Sequence, residues 1–202
     1  VGSEMCIRDR YHAYDYFEVD PLLGGNAALT DLIDAVHQRG MRLVLDGVFN
    51  HCGRGFWAFH HVVENGADSP YRDWFHVHRW PLQPYPAPGE VCGYDGWWAL
   101  PELPKFIPGE PGVRQLQQAV GRHRLEQGID GWRLDVTAEV PADFWVEFRQ
   151  MVRSTNPEAW IVGEVWGDAT AWLQGDHFDG VMNYRLGWSS ICWAAGETLR
   201  RD

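Results

Sequence analysis

Long apolar runs are absent from this sequence. No stretch approaches the roughly 20 residues that cross a bilayer, and Val1 to Arg10 is too polar for the apolar centre of a signal peptide. Cysteine is sparse: Cys6, Cys52, Cys92 and Cys192 stand far apart with no CxxC pair. That spacing argues against a zinc knuckle or a dense disulfide framework and leaves reduced thiols as the expectation. Basic residues are short as well, with 17 Lys and Arg against 28 Asp and Glu. The formal charge of −11 repels phosphate backbones and anionic lipid, so neither nucleic acid nor a membrane is an expected partner. There is no repeat, linker or low-complexity tract. What remains is a 202-residue chain of globular composition, 45% hydrophobic and 22% charged, about one domain in length.

Aromatic residues are the excess. The chain carries 12 Trp, 9 Phe and 7 Tyr, many of them in Pro- and Gly-rich segments rather than periodic ones. Flat aromatic faces in loops suit the flat apolar faces of sugar rings; the equally weighted alternative is that they pack a large irregular loop.

Four short apolar runs bounded by turn residues read as buried strands: Arg42 to Leu45, Ile129 to Leu134, Trp160 to Val162 and Phe178 to Met182. Amphipathic stretches alternate with them. The first runs from near Asn26 to Gly40 with Leu29, Leu32, Ile33 and Val36 on one face. The second carries Val113, Leu116 and Val120, and the third Phe144, Phe148, Met151 and Val152 before Pro157. A last stripe holds Trp188, Ile191, Cys192, Ala195 and Leu199. Strands alternating with helices of this length predict parallel pairing through right-handed crossovers, hence an α/β sheet or barrel. From Phe49 to about Pro111 the rhythm breaks for roughly sixty residues, where a strand-to-helix loop usually has 2–6.

Each strand run delivers a polar residue just past its apolar positions: Asp46, Asp135, Glu164 and Asn183. Catalytic groups of α/β folds gather at this C-terminal rim. Three acids there are costly without counter-charge, and Arg133 is the only obvious local cation. Arg133 and Asp135 are two apart and share a strand face, so the guanidinium is expected to keep Asp135 ionised. Glu164, among Val162, Val165 and Trp166, is expected to have its pKa raised by desolvation. One charged and one protonated carboxyl is what retaining glycosidic cleavage requires, with the two about 5–5.5 Å apart. Asp-rich strand ends also bind Mg²⁺ in other barrels.

The runs Asp46-Gly47-Val48-Phe49-Asn50-His51, Gly131-Trp132-Arg133-Leu134-Asp135-Val136 and Gly163-Glu164-Val165-Trp166 resemble three successive signature regions of the α-amylase family, glycoside hydrolase family 13. Further resemblance lies in Asp15 to Pro21, Leu100 to Phe106 and Phe178 to Tyr184, most similar to the neopullulanase and cyclomaltodextrinase branch. The resemblance implies a partial TIM (β/α)8 barrel, about strands 3 to 6, with residues 50–110 inserted as a subdomain after strand 3. Residues 1–9 match nothing in the family, and 10–202 form an incomplete catalytic barrel. It implies Asp135 as nucleophile and Glu164 as general acid/base, with an α-glucan oligosaccharide as substrate. Arg133 would orient Asp135, His51 would bind the sugar at the cleavage subsite, and Asp46 and Asn50 would brace the rim. Trp98, with Trp97, is a candidate sugar-stacking face. Asn50 is also a calcium ligand in some relatives. No cofactor is expected here, because Asn50 is the one assignable ligand and hard cations want six or more oxygens. Members of this branch are often cytoplasmic dimers joined by an N-terminal domain that is not among these residues; a cytoplasmic location is the expectation and oligomeric state is left open.

Two departures stand out. The family's third catalytic acid belongs to a region beyond Asp202, so the chain is expected to be a fragment, inactive alone. Ile107-Pro108-Gly109 stands where the branch has an Asn and further polar residues. Two other function classes stay open, a non-catalytic relative and an unrelated metal-dependent α/β enzyme. His60, His61, His76 and His78 read as surface or packing residues rather than ligands, Asp20 as a turn residue, and Asp168 and Asp176 as solvated acids.

Overall fold

The computed structural model describes residues 11–196; the segment 1–9, Cys6 and Leu199 lie outside the described residues. Asp20 opens the first helical region by accepting the Leu22 N–H on its side chain at 2.8 Å, which starts a short turn over Pro21–Leu23. Gly24 then takes a left-handed φ of 99°, and helix α1 follows over Gly25–His37. It leads to strand β1, Val44–Gly47. Helix α2, Trp57–Asn65, lies in the long interval that broke the periodicity. Next come α3 (Pro111–Glu126), β2 (Gly131–Leu134), α4 (Ala142–Thr155), β3 (Trp160–Gly163), β4 (Gly180–Val181) and α5 (Tyr184–Ala195). Helix α3 has the expected start chemistry: Pro111 in its first turn, and the Glu110 carboxylate accepting the Val113 N–H at 2.9 Å.

The four strands form one parallel sheet in the order β1-β2-β3-β4. Asp46 pairs with Arg133 and Arg133 with Val162, so one row of same-face side chains runs across three strands. On the opposite face Trp132 and Ile161 join Phe144, Trp145, Phe148, Met151 and Val152 of α4, with Val120 of α3, in one core. Full burial of each such aromatic or aliphatic side chain contributes about 1.5–3 kcal/mol.

Three of the four strands begin later than the apolar runs suggest, and β3 begins at Trp160 as expected. Leu43 is drawn out of β1 because its N–H donates to the Asp130 carboxylate at 2.8 Å. Phe178 falls outside β4 and packs on Gly163, where an added Cβ would meet its ring at 2.6 Å. Asp179 accepts the Ile161 N–H and pairs with Arg149. Two expected faces are corrected. Leu32 is 48% exposed while Leu29 and Ile33, one turn apart on the face that meets the core, are buried. Leu32 instead edges an apolar cleft with Leu23, Leu45 and Trp132. No residue of α5 is buried; Trp188 and Ile191 face outward among the described residues.

The long interval has its own core. Cys52, Phe56, Phe59, Val62, Phe75, Leu82, Tyr94 and Phe106 are all buried together. Most of the aromatic excess is therefore packing, and the exposed remainder is small: Trp57, Trp80, Tyr85 and Trp98 in this interval. Its histidines are local props. His61 meets the Ser69 hydroxyl at 2.9 Å and His78 the Asp95 carboxylate at 2.6 Å. No helix among the described residues is long and apolar enough to cross a membrane.

Candidate active site

The ladder continues one step past the named strands. The Asp135 N–H donates to Gly47 O at 3.0 Å, and the Glu164 N–H to Leu134 O at 2.9 Å. Asp135 and Glu164 thus end adjacent parallel strands, whose spacing is about 4.8 Å, and share the face of Asp46 and Arg133 two residues earlier. A single guanidinium gathers the acids. Arg133 Nη1 lies 2.6 Å from Asp135 Oδ1 and 2.9 Å from Asp46 Oδ1; its Nη2 lies 2.9 Å from Glu164 Oε1. The side chains of Asp135 and Glu164 are only 7% and 8% exposed.

Glu164 has more partners than its sequence neighbours suggest. Its Oε2 accepts the Val136 N–H at 3.0 Å and its Oε1 accepts the Tyr184 O–H at 2.7 Å. Burial pushes this carboxyl up, but those bonds, one from Trp166 and the Arg133 charge outweigh it and hold it below the usual range. Asp135 goes the other way. Burial pushes it up to about 7; Arg133 opposes this, while the charges of Glu164 and Asp46 add to it. The expected order of acidity is therefore reversed. The cause is that Arg133 is shared among three acids, while the start of α5 and the turn after β2 supply Glu164 with donors of its own. Asp46 is also raised, by burial first, against the bonds from Arg133 and Tyr11, whose O–H donates to it at 3.1 Å.

His51 and Asn50 are fully buried. The His51 ring stacks on Trp97 with centroids 5.0 Å apart, and Trp97 stacks on Trp98 at 4.7 Å. Burial lowers the His51 pKa to about 3, so the imidazole is neutral, and its Nε2 has no protein partner. Asn50 Oδ1 is likewise buried without a protein partner. Among the described residues no three His, Cys, Asp or Glu side chains gather as a metal site. Trp98 is 56% exposed, held at a left-handed φ of 52°, and shares a 160 Å³ cavity with Glu164, Trp166 and Glu139. Glu139 accepts the Trp97 indole N–H and the Lys105 ammonium, each at 2.9 Å.

The model of the α-amylase catalytic domain matches residues 7–197. The chain belongs to the α-amylase family. Within that family it is 43% identical over 191 residues to a cyclomaltodextrinase of Geobacillus thermopakistaniensis, covering 94% of this chain and 32% of that protein. It is 43% identical over 190 residues to neopullulanase 2 of Thermoactinomyces vulgaris, covering 93% and 32%. The crystal structure of an acarbose-soaked debranching enzyme from Nostoc punctiforme matches with a TM-score of 0.89 at 50% identity, over 93% of this chain and 40% of that one. This α-amylase-family chain spans about a third of the length of the curated relatives it matches. The branch resemblance of the motifs agrees with those relatives.

Sequence reasoning missed Tyr11, Tyr184 and Glu139. Tyr184 was legible only as part of a family motif, and Tyr11 precedes the first periodic element. Glu139 follows Asp135 by four residues, but nothing local links it to Trp97 and Lys105.

Proposed function

We propose that the chain is the central part of the catalytic barrel of a retaining α-glucan hydrolase or transglycosylase, about strands 3 to 6, with residues 50–110 as the inserted subdomain. Maltooligosaccharides, cyclodextrins or related glucans are the substrates. The observation that carries this reading is the pair of buried carboxyls on adjacent strand ends, both bound to one guanidinium. The names of the relatives, cyclomaltodextrinase and neopullulanase, support the substrate class.

In the working form the pair holds one proton, and that proton sits on Glu164. Asp135 attacks the anomeric carbon while Glu164 gives its proton to the glycosidic oxygen, releasing the leaving sugar and forming a glycosyl ester on Asp135. Glu164, now a carboxylate, takes a proton from water or from an acceptor sugar hydroxyl. That oxygen attacks the anomeric carbon and frees Asp135. Arg133 keeps the Asp135 oxygens aimed at the sugar, Asp46 holds Arg133, and neutral His51 is the hydrogen-bonding partner of the bound ring, with Asn50 behind it. Trp98 offers a stacking face on the Glu164 side.

The test is hydrolysis of a maltooligosaccharide and of β-cyclodextrin by this chain alone and by the chain extended through its natural reading frame. Activity only in the extended protein, abolished by Asp135→Asn and by Glu164→Gln, is expected. A folded extended protein inactive on both glucans would overturn the reading.

A further inference from the structure

Every partner of Glu164 but one can only donate. The Val136 N–H, the Arg133 guanidinium and the Trp166 indole carry no acceptor, whereas the Tyr184 phenol can donate or accept. A carboxylate suits all four. A protonated Glu164, which the acid step requires, has only the Tyr184 oxygen to receive its new O–H among these partners. Tyr184 stands at the start of α5, directly after β4, and its phenol is 2.7 Å from Glu164 Oε1.

We propose that Tyr184 is a positioning residue that reverses its hydrogen bond with Glu164 as the catalytic proton arrives and leaves. When Glu164 is ionised the phenol donates and stabilises the carboxylate. When Glu164 takes the proton, the phenol O–H turns away and its oxygen accepts. Once the proton has passed to the glycosidic oxygen the original bond returns, so Glu164 is ready to deprotonate the incoming water. The neighbouring element contributes too: Met182 Sδ, just past β4, accepts the Arg133 Nε–H at 3.3 Å and steadies the guanidinium that Tyr184 and Glu164 share. The charged and titratable groups facing Glu164 are Arg133, Asp135 and Asp46 from β1 and β2, Glu139 across the cavity, and Tyr184 itself.

This role rests on the acid assignment made above, and its test is separable from it. Tyr184→Phe removes the hydroxyl and keeps the ring. Without that donor the Glu164 carboxyl, followed by ¹³C NMR, should titrate about one pH unit higher. In the extended, active protein the basic limb of kcat/KM should move up by the same amount, with kcat reduced and KM unchanged. The reciprocal variant Glu164→Gln should return the Tyr184 phenol, now pushed up to about 12 by burial and by Glu164, toward the ordinary tyrosine range in an ultraviolet titration. An unmoved Glu164 titration together with an unmoved phenol would overturn the proposal. These two titrations need no turnover, so an inactive extended protein counts against the glycosidase reading and leaves them to decide this one.

Discussion

Arg133 Nη2 holds Glu164 Oε1 at 2.9 Å on the same guanidinium whose Nη1 holds Asp135 at 2.6 Å and Asp46 at 2.9 Å. One cation faces three carboxyls in a poorly solvated cleft, and the surplus negative charge is relieved by retaining a proton. Donors from outside the strands decide which acid keeps it. The Val136 N–H and the Tyr184 O–H both serve Glu164, so Asp135 is the acid that holds its proton more tightly.

Removing the shared cation should be costly in a pH-dependent way. Arg133→Ala leaves three unpaired acids, two of them nearly buried, and should lower the unfolding free energy by about 3–5 kcal/mol at pH 7.5. At pH 5 more of the acids are neutral and the loss should shrink. Urea unfolding of the variant and its parent at the two pH values checks this; equal losses would show that the ion pairs contribute little.

Asp135 gives a linkage prediction with a definite sign. Its folded pKa is raised to about 7 from an ordinary value near 3.8, mainly by burial, so the folded state binds a proton that the unfolded state has already lost in this window. Stability from this group is therefore greatest at the acid end and declines as pH rises toward 7. Asp135→Asn should abolish that decline. Between pH 5 and pH 8 the variant should gain stability relative to its parent, read from urea midpoints; parallel pH profiles would count against a raised Asp135.

The strand runs, the helices that alternate with them and the acids at the rim were all legible in hydrophobic period and turn chemistry, because each is a local pattern. The second core around Phe59 and Phe106 was not, since aromatics in Pro- and Gly-rich segments have no period to reveal their partners. The acidity of Glu164 was misjudged for a similar reason. Its decisive donors, Val136 and Tyr184, are 28 and 20 residues away, and only the folded sheet brings them to one carboxylate. Arg133 and Asp135, two residues apart on one strand, were correctly paired because strand alternation alone puts them together.

Trp98 separates a binding role from a packing role. Its left-handed backbone costs an L-residue about 1–2 kcal/mol, and its ring contacts with Trp97 and Trp166 return roughly 0.5–1.5 kcal/mol each. Trp98→Gly relieves the first and loses the second, so the two largely offset and stability should fall by no more than about 2 kcal/mol. If the exposed ring stacks on sugar, KM for a maltooligosaccharide in the extended protein should rise roughly tenfold, equivalent to ~1.4 kcal/mol. A stability loss with KM unchanged would make Trp98 a packing residue.

Glu139 ties the inserted segment to the loop that follows Asp135, and its replacement should loosen the ring stack from below. The Trp97 indole N–H is its hydrogen-bond donor at 2.9 Å, and Trp97 is 7% exposed, so Glu139→Ala strands a buried donor. That loss is about 1–3 kcal/mol. The ion pair with Lys105 is partly solvated and adds little to this. Glu139→Gln retains an oxygen for the indole and should recover most of the stability while losing the charge. Urea unfolding followed by tryptophan fluorescence distinguishes the cases: Ala destabilised and Gln near the parent assigns the effect to the indole bond, whereas equal losses in both would assign it to the Lys105 pair.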